Sequence, residues 1–135
     1  MRTQRNDTRV IVPVRKPFVD QRGEILNLLD LPVSSAAVIR SVKGALRANH
    51  YHKTDFHYCW LQSGGLVYYH RPAGSAAPPQ RWTIKPGQLF YTPPRYEHMM
   101  RFTKASVLFV LARNSRLMAR YEADTVRVPP LVEKK

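Results

Sequence analysis

Four of the five histidines fall at spacings that suit a metal site or acid–base chemistry. His50, His52 and His57 follow one another as H-x-H-x4-H, and His98 comes later. Alternate side chains of a β-strand share a face, so His50 and His52 are predicted to point the same way. A turn at residues 53–55 would bring His57 back beside them. Neutral imidazole is the commonest protein ligand for borderline transition metals, so the four rings predict an all-nitrogen metal site.

The segments that must position these histidines are predicted to be short strands. Turn signals recur about every 8–12 residues, and almost no stretch has a helical pattern, which is typical of an all-β sandwich or barrel. We predict one domain over residues 1–135 with a barrel core at about 36–112, a short helix at 114–122, an edge strand at 125–128 and a tail at 129–135. The predicted strands before the helix are 9–14, 25–29, 36–42, 46–53, 56–62, 66–71, 80–85, 88–92, 96–103 and 106–112.

Composition limits the classes of partner. The net charge of +13 favours anionic partners, but the basic residues are scattered and form no tail or helix face of the kind that reads nucleic acid. We therefore expect a basic solvated surface or an anionic small-molecule substrate, with no nucleic-acid partner. No apolar run is long enough for a membrane span, so no membrane partner is expected. Cys59 is the only cysteine, which excludes an intrachain disulfide and favours a cytoplasmic location.

The two histidine stretches resemble the motifs of the cupin superfamily. The first cupin motif is G-x5-H-x-H-x(3,4)-E-x6-G, and Gly44, His50, His52 and Gly64 fit it; the second is G-x5-P-x-G-x2-H-x3-N, and Gly87, Pro93 and His98 fit that one. The chain departs from the motifs at His57, Arg95 and Phe102, which replace glutamate, glycine and asparagine. The resemblance implies a double-stranded β-helix, or jelly-roll barrel, with His50, His52, His57 and His98 projecting into its mouth.

Within that superfamily, the chain is similar to the sugar-nucleotide isomerase and epimerase branch, which includes the dTDP-sugar 3,4-ketoisomerases. The similarity lies in residues 18–23, in residues 47–53, which are close to R-G-x-H-x-H-K, and in residues 91–94. It implies isomerase or epimerase chemistry on a nucleotide-linked or other carbonyl-bearing sugar in polysaccharide biosynthesis. His50 and His52 would then be the catalytic acid and base, and Arg47 would clamp a diphosphate or carbonyl. It also implies a homodimer that pairs through the N-terminal strands 9–14 and 25–29.

The identity of the ion and the chemistry stay open at this point. Replacing the motif's glutamate by His57 removes one negative charge, which favours zinc, iron, nickel or copper over magnesium or manganese. One alternative is a metal-dependent iron dioxygenase, and another is a non-enzymatic small-molecule or sugar-binding protein. An acid–base isomerase that uses no metal is the rival mechanism for the same histidines.

Simple alternation makes further predictions about individual side chains. It places Leu46 and Ala48 on the face of His50, and it points Arg47 away from that face unless the strand contains a bulge. His70 is predicted at the rim of the barrel. Cys59 is predicted to be a small buried hydrophobe, with a redox or supporting role at the site as the open alternative.

Overall fold

Two five-stranded antiparallel sheets face each other in a computed structural model that describes residues 9–132. One sheet has the strand order β1-β9-β6-β11-β4 and the other β12-β5-β10-β7-β8. The strands before the helix are β1 (Ile11–Val12), β2 (Phe18–Asp20), β3 (Gly23–Ile25), β4 (Ser35–Ser41), β5 (Leu46–His52), β6 (His57–Ser63), β7 (Leu66–Pro72), β8 (Gln80–Ile84), β9 (Leu89–Thr92), β10 (Tyr96–Phe102) and β11 (Ser106–Ala112). The predicted all-β jelly-roll architecture is confirmed.

The main core lies between the two sheets and follows from period-2 alternation. Inward-facing residues of both sheets form one apolar cluster, which includes Cys59, Leu61, Tyr68, Phe90 and Phe102. The apolar sequence of β11 would suit a strand that is buried on both faces, but its residues alternate between buried and half-buried. One of its faces therefore packs in the core, while the other lies on the outside of the sheet.

The N-terminal strands differ from the prediction. Only Ile11–Val12 is a strand, and it pairs with β9 of the same chain, so the barrel extends beyond 36–112. The strand predicted at 25–29 is wrong, because β2 and β3 instead form a hairpin whose last residue is Ile25. Gly23 in its turn has a φ of +132°, which favours glycine, and Asp20 Oδ1 accepts a hydrogen bond from the backbone N–H of Arg22 at 2.9 Å. Among residues 9–132, the hairpin strands pair only with each other.

Strand β5 contains the bulge that a role for Arg47 required. Ala48 and Asn49 have φ values of 74° and 56°, and the pairing with β10 skips Asn49, so that His98 opposes His50 and Met99 opposes Ala48. The bulge reverses the alternation before His50. Leu46 therefore packs on the outer face with Val67, Tyr69 and Met99, which makes its predicted position beside His50 wrong. Ala48 packs against the main core as expected.

The segment after the barrel folds back over the histidine strand. Helix α1 (Met118–Asp124) leads directly into β12 (Thr125–Arg127), which pairs with β5 so that Thr125 opposes His52. None of the seven residues of α1 is buried. Leu131 and Val132, predicted to be in a tail, pack on the outer face against Val67 and its neighbours. In the described part of the chain, no helix has the length and hydrophobicity needed to cross a bilayer.

Candidate metal and catalytic centre

The structure brings the four predicted histidines together inside the barrel. The ring centroid of His50 lies 4.6 Å from that of His52 and 4.8 Å from that of His98, and His52 lies 4.7 Å from His57. His50 and His98 oppose each other on β5 and β10, while His57 begins β6 after a four-residue turn. All four rings are buried. Pairing between neighbouring strands therefore converts distant sequence positions into one cluster.

Hydrogen bonds to protein acceptors fix which ring nitrogens carry a proton. His98 Nδ1 lies 3.0 Å from the backbone oxygen of Tyr96, which can only accept, so this nitrogen is the donor. His57 Nε2 likewise donates to a carboxylate oxygen of Asp55 at 2.9 Å. His98 consequently keeps its lone pair on Nε2, and the nitrogen of His57 that is not bonded to Asp55 is Nδ1. His50 Nδ1 and His52 Nε2 are buried and have no hydrogen-bond partner among the described residues.

Asp55 is one of the site residues that the sequence analysis did not identify. Its side chain is 2% exposed, and its second carboxylate oxygen accepts a hydrogen bond from the backbone N–H of Asn114 at 2.9 Å. Burial raises the pKa of Asp55, but the hydrogen bond and charge of His57 outweigh it, and the pKa lies below its ordinary value. The site thus regains a negative charge that the replacement of the motif's glutamate was expected to remove. The only sequence signal was a carboxylate in a predicted turn two residues before a histidine.

Burial keeps the imidazoles of His50, His52 and His98 neutral at physiological pH. Desolvation, together with the neighbouring His52 and His57, lowers the pKa of His50 to about 3. Desolvation and His57 lower the pKa of His52 to about 4, and burial places the pKa of His98 well below its ordinary value. Neutral rings present lone pairs, which is the form that binds metals or accepts protons.

A small cavity of about 120 Å³ opens beside the cluster. His50, His57 and His98 line it, and two arginines give it a cationic side. One is Arg47, whose guanidinium donates to Ser41 Oγ at 2.8 Å and to the backbone oxygen of Arg40 at 3.1 Å. The other is Arg116, which lies 4.8 Å above the ring of Tyr121, itself part of the lining. The bulge in β5 is what brings Arg47 to this cavity. Sequence reasoning missed Arg116 and Tyr121.

Cys59 and His70 lie near the site, but neither belongs to its reactive groups. Cys59 lines the cavity but belongs to the apolar core, and burial raises the pKa of its thiol to about 12, so it remains protonated. The predicted rim position of His70 is wrong, because its ring is buried between Trp82 and Tyr96 and its Nδ1 lies 2.9 Å from the hydroxyl of Tyr68. His70 faces inward because it is in phase with Tyr68 along β7.

The donor atoms fit a divalent transition metal. Two groups of buried donors, each with its atoms within 4.8 Å of one another, share His52. One contains His50, His52 and His98, and the other contains His52, Asp55 and His57. Three imidazoles, of which those of His50 and His52 each have a buried nitrogen without a partner among the described residues, are a set that zinc, iron, nickel or copper accepts. The hydrogen bond from His98 Nδ1 to a carbonyl is the type of outer contact that orients a metal-binding imidazole.

The architecture is similar to that of several solved protein structures. No family model and no curated protein matches the chain. Solved structures match over most of its length. The sugar 3,4-ketoisomerase QdtA from Thermoanaerobacterium thermosaccharolyticum, in complex with TDP, superposes with a TM-score of 0.67 at 21% identity, covering 83% of this chain and 82% of that one. The chain has the cupin fold.

Two further structures have the same arrangement. A dTDP-4-dehydrorhamnose 3,5-epimerase from Sulfolobus tokodaii gives a TM-score of 0.71 at 15% identity and covers 89% of this chain and 77% of its own. A 3,4-ketoisomerase from Helicobacter canadensis gives 0.68 at 17% identity and covers 83% and 85%. At these sequence identities, the structural similarity establishes the fold of the chain and nothing further.

Proposed function

We propose that this cupin is an isomerase or epimerase that moves protons at carbons next to the carbonyl of a nucleotide-linked sugar. The observation that carries the proposal is the cavity itself. It combines the buried His50 Nδ1, which has no hydrogen-bond partner among residues 9–132, with a histidine hydrogen-bonded to a buried carboxylate and with two arginines. The fold supports it, because the similar QdtA enzyme was solved with TDP and, as a variant, with TDP-4-keto-6-deoxyglucose.

His57 is the proton-transfer group in this proposal. Its Nε2–H is held by Asp55, which leaves Nδ1 as the basic nitrogen and stabilises the imidazolium that forms when it accepts a proton. Nδ1 takes the proton from the carbon next to the carbonyl, and an enediolate forms as the carbonyl oxygen gains negative charge. The guanidinium groups of Arg47 and Arg116 lie on the same cavity and stabilise that charge. For ketoisomerisation, His57 returns the proton to the former carbonyl carbon, while the hydroxyl proton of the neighbouring carbon passes to the former carbonyl oxygen. Epimerisation needs in addition a second proton donor on the opposite face of the sugar.

His50, His52 and His98 are the residues that would hold a divalent metal. They form one donor group, whereas His57 belongs to the other group and donates its Nε2–H to Asp55. The proposal assigns His57 to proton transfer, so the four-histidine centre expected from the sequence becomes three ligands and one base. A bound ion would polarise the substrate carbonyl as a Lewis acid. In protein isolated without metal, His50 and His52 would no longer act as metal ligands and would assist His57 in acid–base catalysis.

The nucleotide is expected to stay outside the histidine cavity. Pockets that enclose a drug-sized ligand are typically about 300–1,000 Å³, whereas this cavity is about 120 Å³. Only the reacting part of a sugar fits beside the rings. The diphosphate would lie at the cavity mouth near Arg47 and Arg116, since arginine pairs well with phosphate oxygens. The net charge of +13 favours the approach of such an anion.

Deuterium exchange tests the proposal directly. The protein is incubated with TDP-4-keto-6-deoxyglucose in D₂O, and proton NMR follows the signals of C3 and C5, the carbons next to the carbonyl. We expect loss of the C3 signal for ketoisomerisation and of both signals for epimerisation. His57→Asn should abolish exchange while metal content stays unchanged, and His70→Asn serves as the matched control outside the cavity. No exchange, together with no binding of TDP by calorimetry, would overturn the proposal.

Metal analysis of the same preparation separates the alternatives. Zinc or nickel with exchange supports the isomerase. Iron together with oxygen consumption and no exchange would favour a dioxygenase instead. Loss of metal in His57→Asn would return His57 to the ligand set and assign the base elsewhere.

We also propose that the active form is a homodimer that pairs through the β2–β3 hairpin. Phe18, Val19 and Ile25 are 57%, 67% and 57% exposed, and a two-stranded hairpin alone is only marginally stable in water. Replacing Phe18 and Ile25 by serine should halve the mass measured by light scattering. Val42→Ser, at a position 73% exposed elsewhere on the surface, is the control. An unchanged mass in the double variant would exclude the hairpin as the contact.

A further inference from the structure

Thr125 contacts the histidine cluster from the edge strand β12. It is the first residue of β12, directly after α1, and it opposes His52 on β5. Its Oγ1 lies 2.6 Å from the backbone oxygen of Tyr121 and 3.3 Å from His52 Nδ1. A hydroxyl has one proton, and a carbonyl oxygen can only accept. The threonine proton is therefore used on Tyr121, and toward His52 the hydroxyl oxygen acts as the acceptor.

This arrangement decides the tautomer of His52. If Oγ1 accepts, His52 Nδ1 carries the ring proton, and Nε2 keeps its lone pair. That same Nε2 is one of the buried side-chain atoms without a hydrogen-bond partner in the described chain. His52 is also the histidine shared by both groups of metal-donor residues. His52 Nε2, the nitrogen available to a ligand, is thus the one that the contact with Thr125 leaves unprotonated.

We propose that Thr125 is a positioning residue that fixes His52 in the Nδ1–H tautomer and so presents the Nε2 lone pair to whatever the site binds. Only the identity of that ligand rests on the proposed function. The tautomer itself follows from the contacts of one hydroxyl group. Outer contacts of this type typically change metal affinity by about 10–100-fold when they are removed.

Neighbouring contacts keep the threonine in place. The carboxylate of Asp124 accepts hydrogen bonds from the backbone N–H groups of Thr54 and Asp55, each at 3.0 Å, and from the Thr54 hydroxyl at 2.8 Å. The backbone N–H of Lys53 donates to the carbonyl oxygen of Asp124 at 2.9 Å. The junction of α1 and β12 is therefore anchored to the turn that follows His52. A simple structural role for Thr125, capping the end of α1, would be satisfied by the bond to Tyr121 alone.

The test compares two substitutions that separate shape from hydrogen bonding. Thr125→Val keeps the shape of the side chain but removes the acceptor, and Thr125→Ser keeps the hydroxyl. Thr83→Val, at an exposed position on β8, is the matched control. Long-range ¹⁵N–¹H correlation spectra of ¹⁵N-histidine-labelled, metal-free protein at pH 7 report which nitrogen of each ring is protonated. His52 is assigned by the disappearance of its signals in His52→Gln.

We expect the Nδ1–H form of His52 in the unaltered protein, in Thr125→Ser and in Thr83→Val. In Thr125→Val the proton should move at least partly to Nε2, which is the form that free histidine prefers. Zinc affinity, measured by competition with a chelator, should fall about 10–100-fold in Thr125→Val and recover in Thr125→Ser. Circular dichroism checks folding, and Thr125→Ala provides the same reading if the valine does not fit.

The outcomes are distinguishable from those of the proposed function. An Nε2–H tautomer in the unaltered protein, or an unchanged Nδ1–H tautomer in both Thr125→Val and Thr125→Ala, would overturn the role of Thr125. If no variant binds zinc, the metal assignment fails, while the spectra still decide the tautomer. If exchange of the sugar protons is absent throughout, the proposed activity fails and the positioning role stands.

Discussion

The buried pair of Asp55 and His57 determines what chemistry the centre can perform. Asparagine at position 55 would present either its NH₂ group or its amide oxygen to the ring. In both orientations His57 Nε2 loses the charged carboxylate acceptor of Asp55. With the NH₂ group facing it, Nε2 becomes the acceptor and the ring proton moves to Nδ1, which removes the base. Asp55→Asn should therefore slow sugar-proton exchange by at least about 100-fold, the lower end of what a general base contributes.

The exchange rate by NMR measures this effect, with Asp30→Asn, at an exposed position outside the cavity, as a control for loss of one acidic charge. A rate within a factor of two of the unaltered protein would assign the base to another residue. Metal content is expected to persist in Asp55→Asn, because Asp55 lies outside the group formed by His50, His52 and His98.

At the residue scale, motif spacing found the histidines but not the groups that support them. His50, His52, His57 and His98 are recognisable because rare side chains recur at fixed intervals. Asp55 is one of nine acidic residues and has no such interval. Arg116, Tyr121 and Thr125 belong to a segment whose approach to the barrel depends on tertiary packing, which no local pattern encodes.

At the level of elements, the bulge in β5 decides which side chains face the cavity. Ala48 holds a left-handed φ of 74° without the freedom of glycine, and such a conformation costs of order 1–3 kcal/mol even for ordinary residues. A β-branched side chain tolerates it least. Ala48→Val should therefore lower the free energy of unfolding by about 1–3 kcal/mol, although valine favours strands in general.

Urea unfolding measures this loss, and Ala36→Val on β4, where the side chain is exposed, is the matched control expected to stay within about 0.5 kcal/mol. Equal stability of the two variants would argue against a strained bulge. Most strand limits could be predicted from the sequence to within a few residues, but this bulge could not, because the extra residue is defined by pairing with β10 and no glycine marks it. The β2–β3 hairpin was not predicted for a related reason, since its strands are only three residues each and show little alternation.

On the scale of the whole molecule, burying several neutral histidines couples folding to pH. Desolvation lowers the pKa of His70 to about 4, as burial does for His50, His52 and His98, whereas all four have ordinary values near 6.5 in the unfolded chain. Between these limits the unfolded state binds more protons than the folded state. Stability is therefore full above about pH 6.5 and is lost as the pH falls toward 4.

The predicted loss is large compared with the stability of an ordinary domain. Each histidine contributes about 2 kcal/mol between pH 7 and pH 5, so the four together approach about 8 kcal/mol, against a typical total of about 5–15 kcal/mol. Urea unfolding at pH 7, 6 and 5 should show this decline. Bound zinc should raise the free energy of unfolding at each pH without removing the decline, because the protons that cause it bind to the unfolded chain. His70→Phe removes one titrating group outside the cavity and should make the decline shallower by about one quarter. A free energy of unfolding that is constant from pH 7 to pH 5 would mean that the rings are solvated, and the dry cluster on which the proposed chemistry depends would not exist in solution.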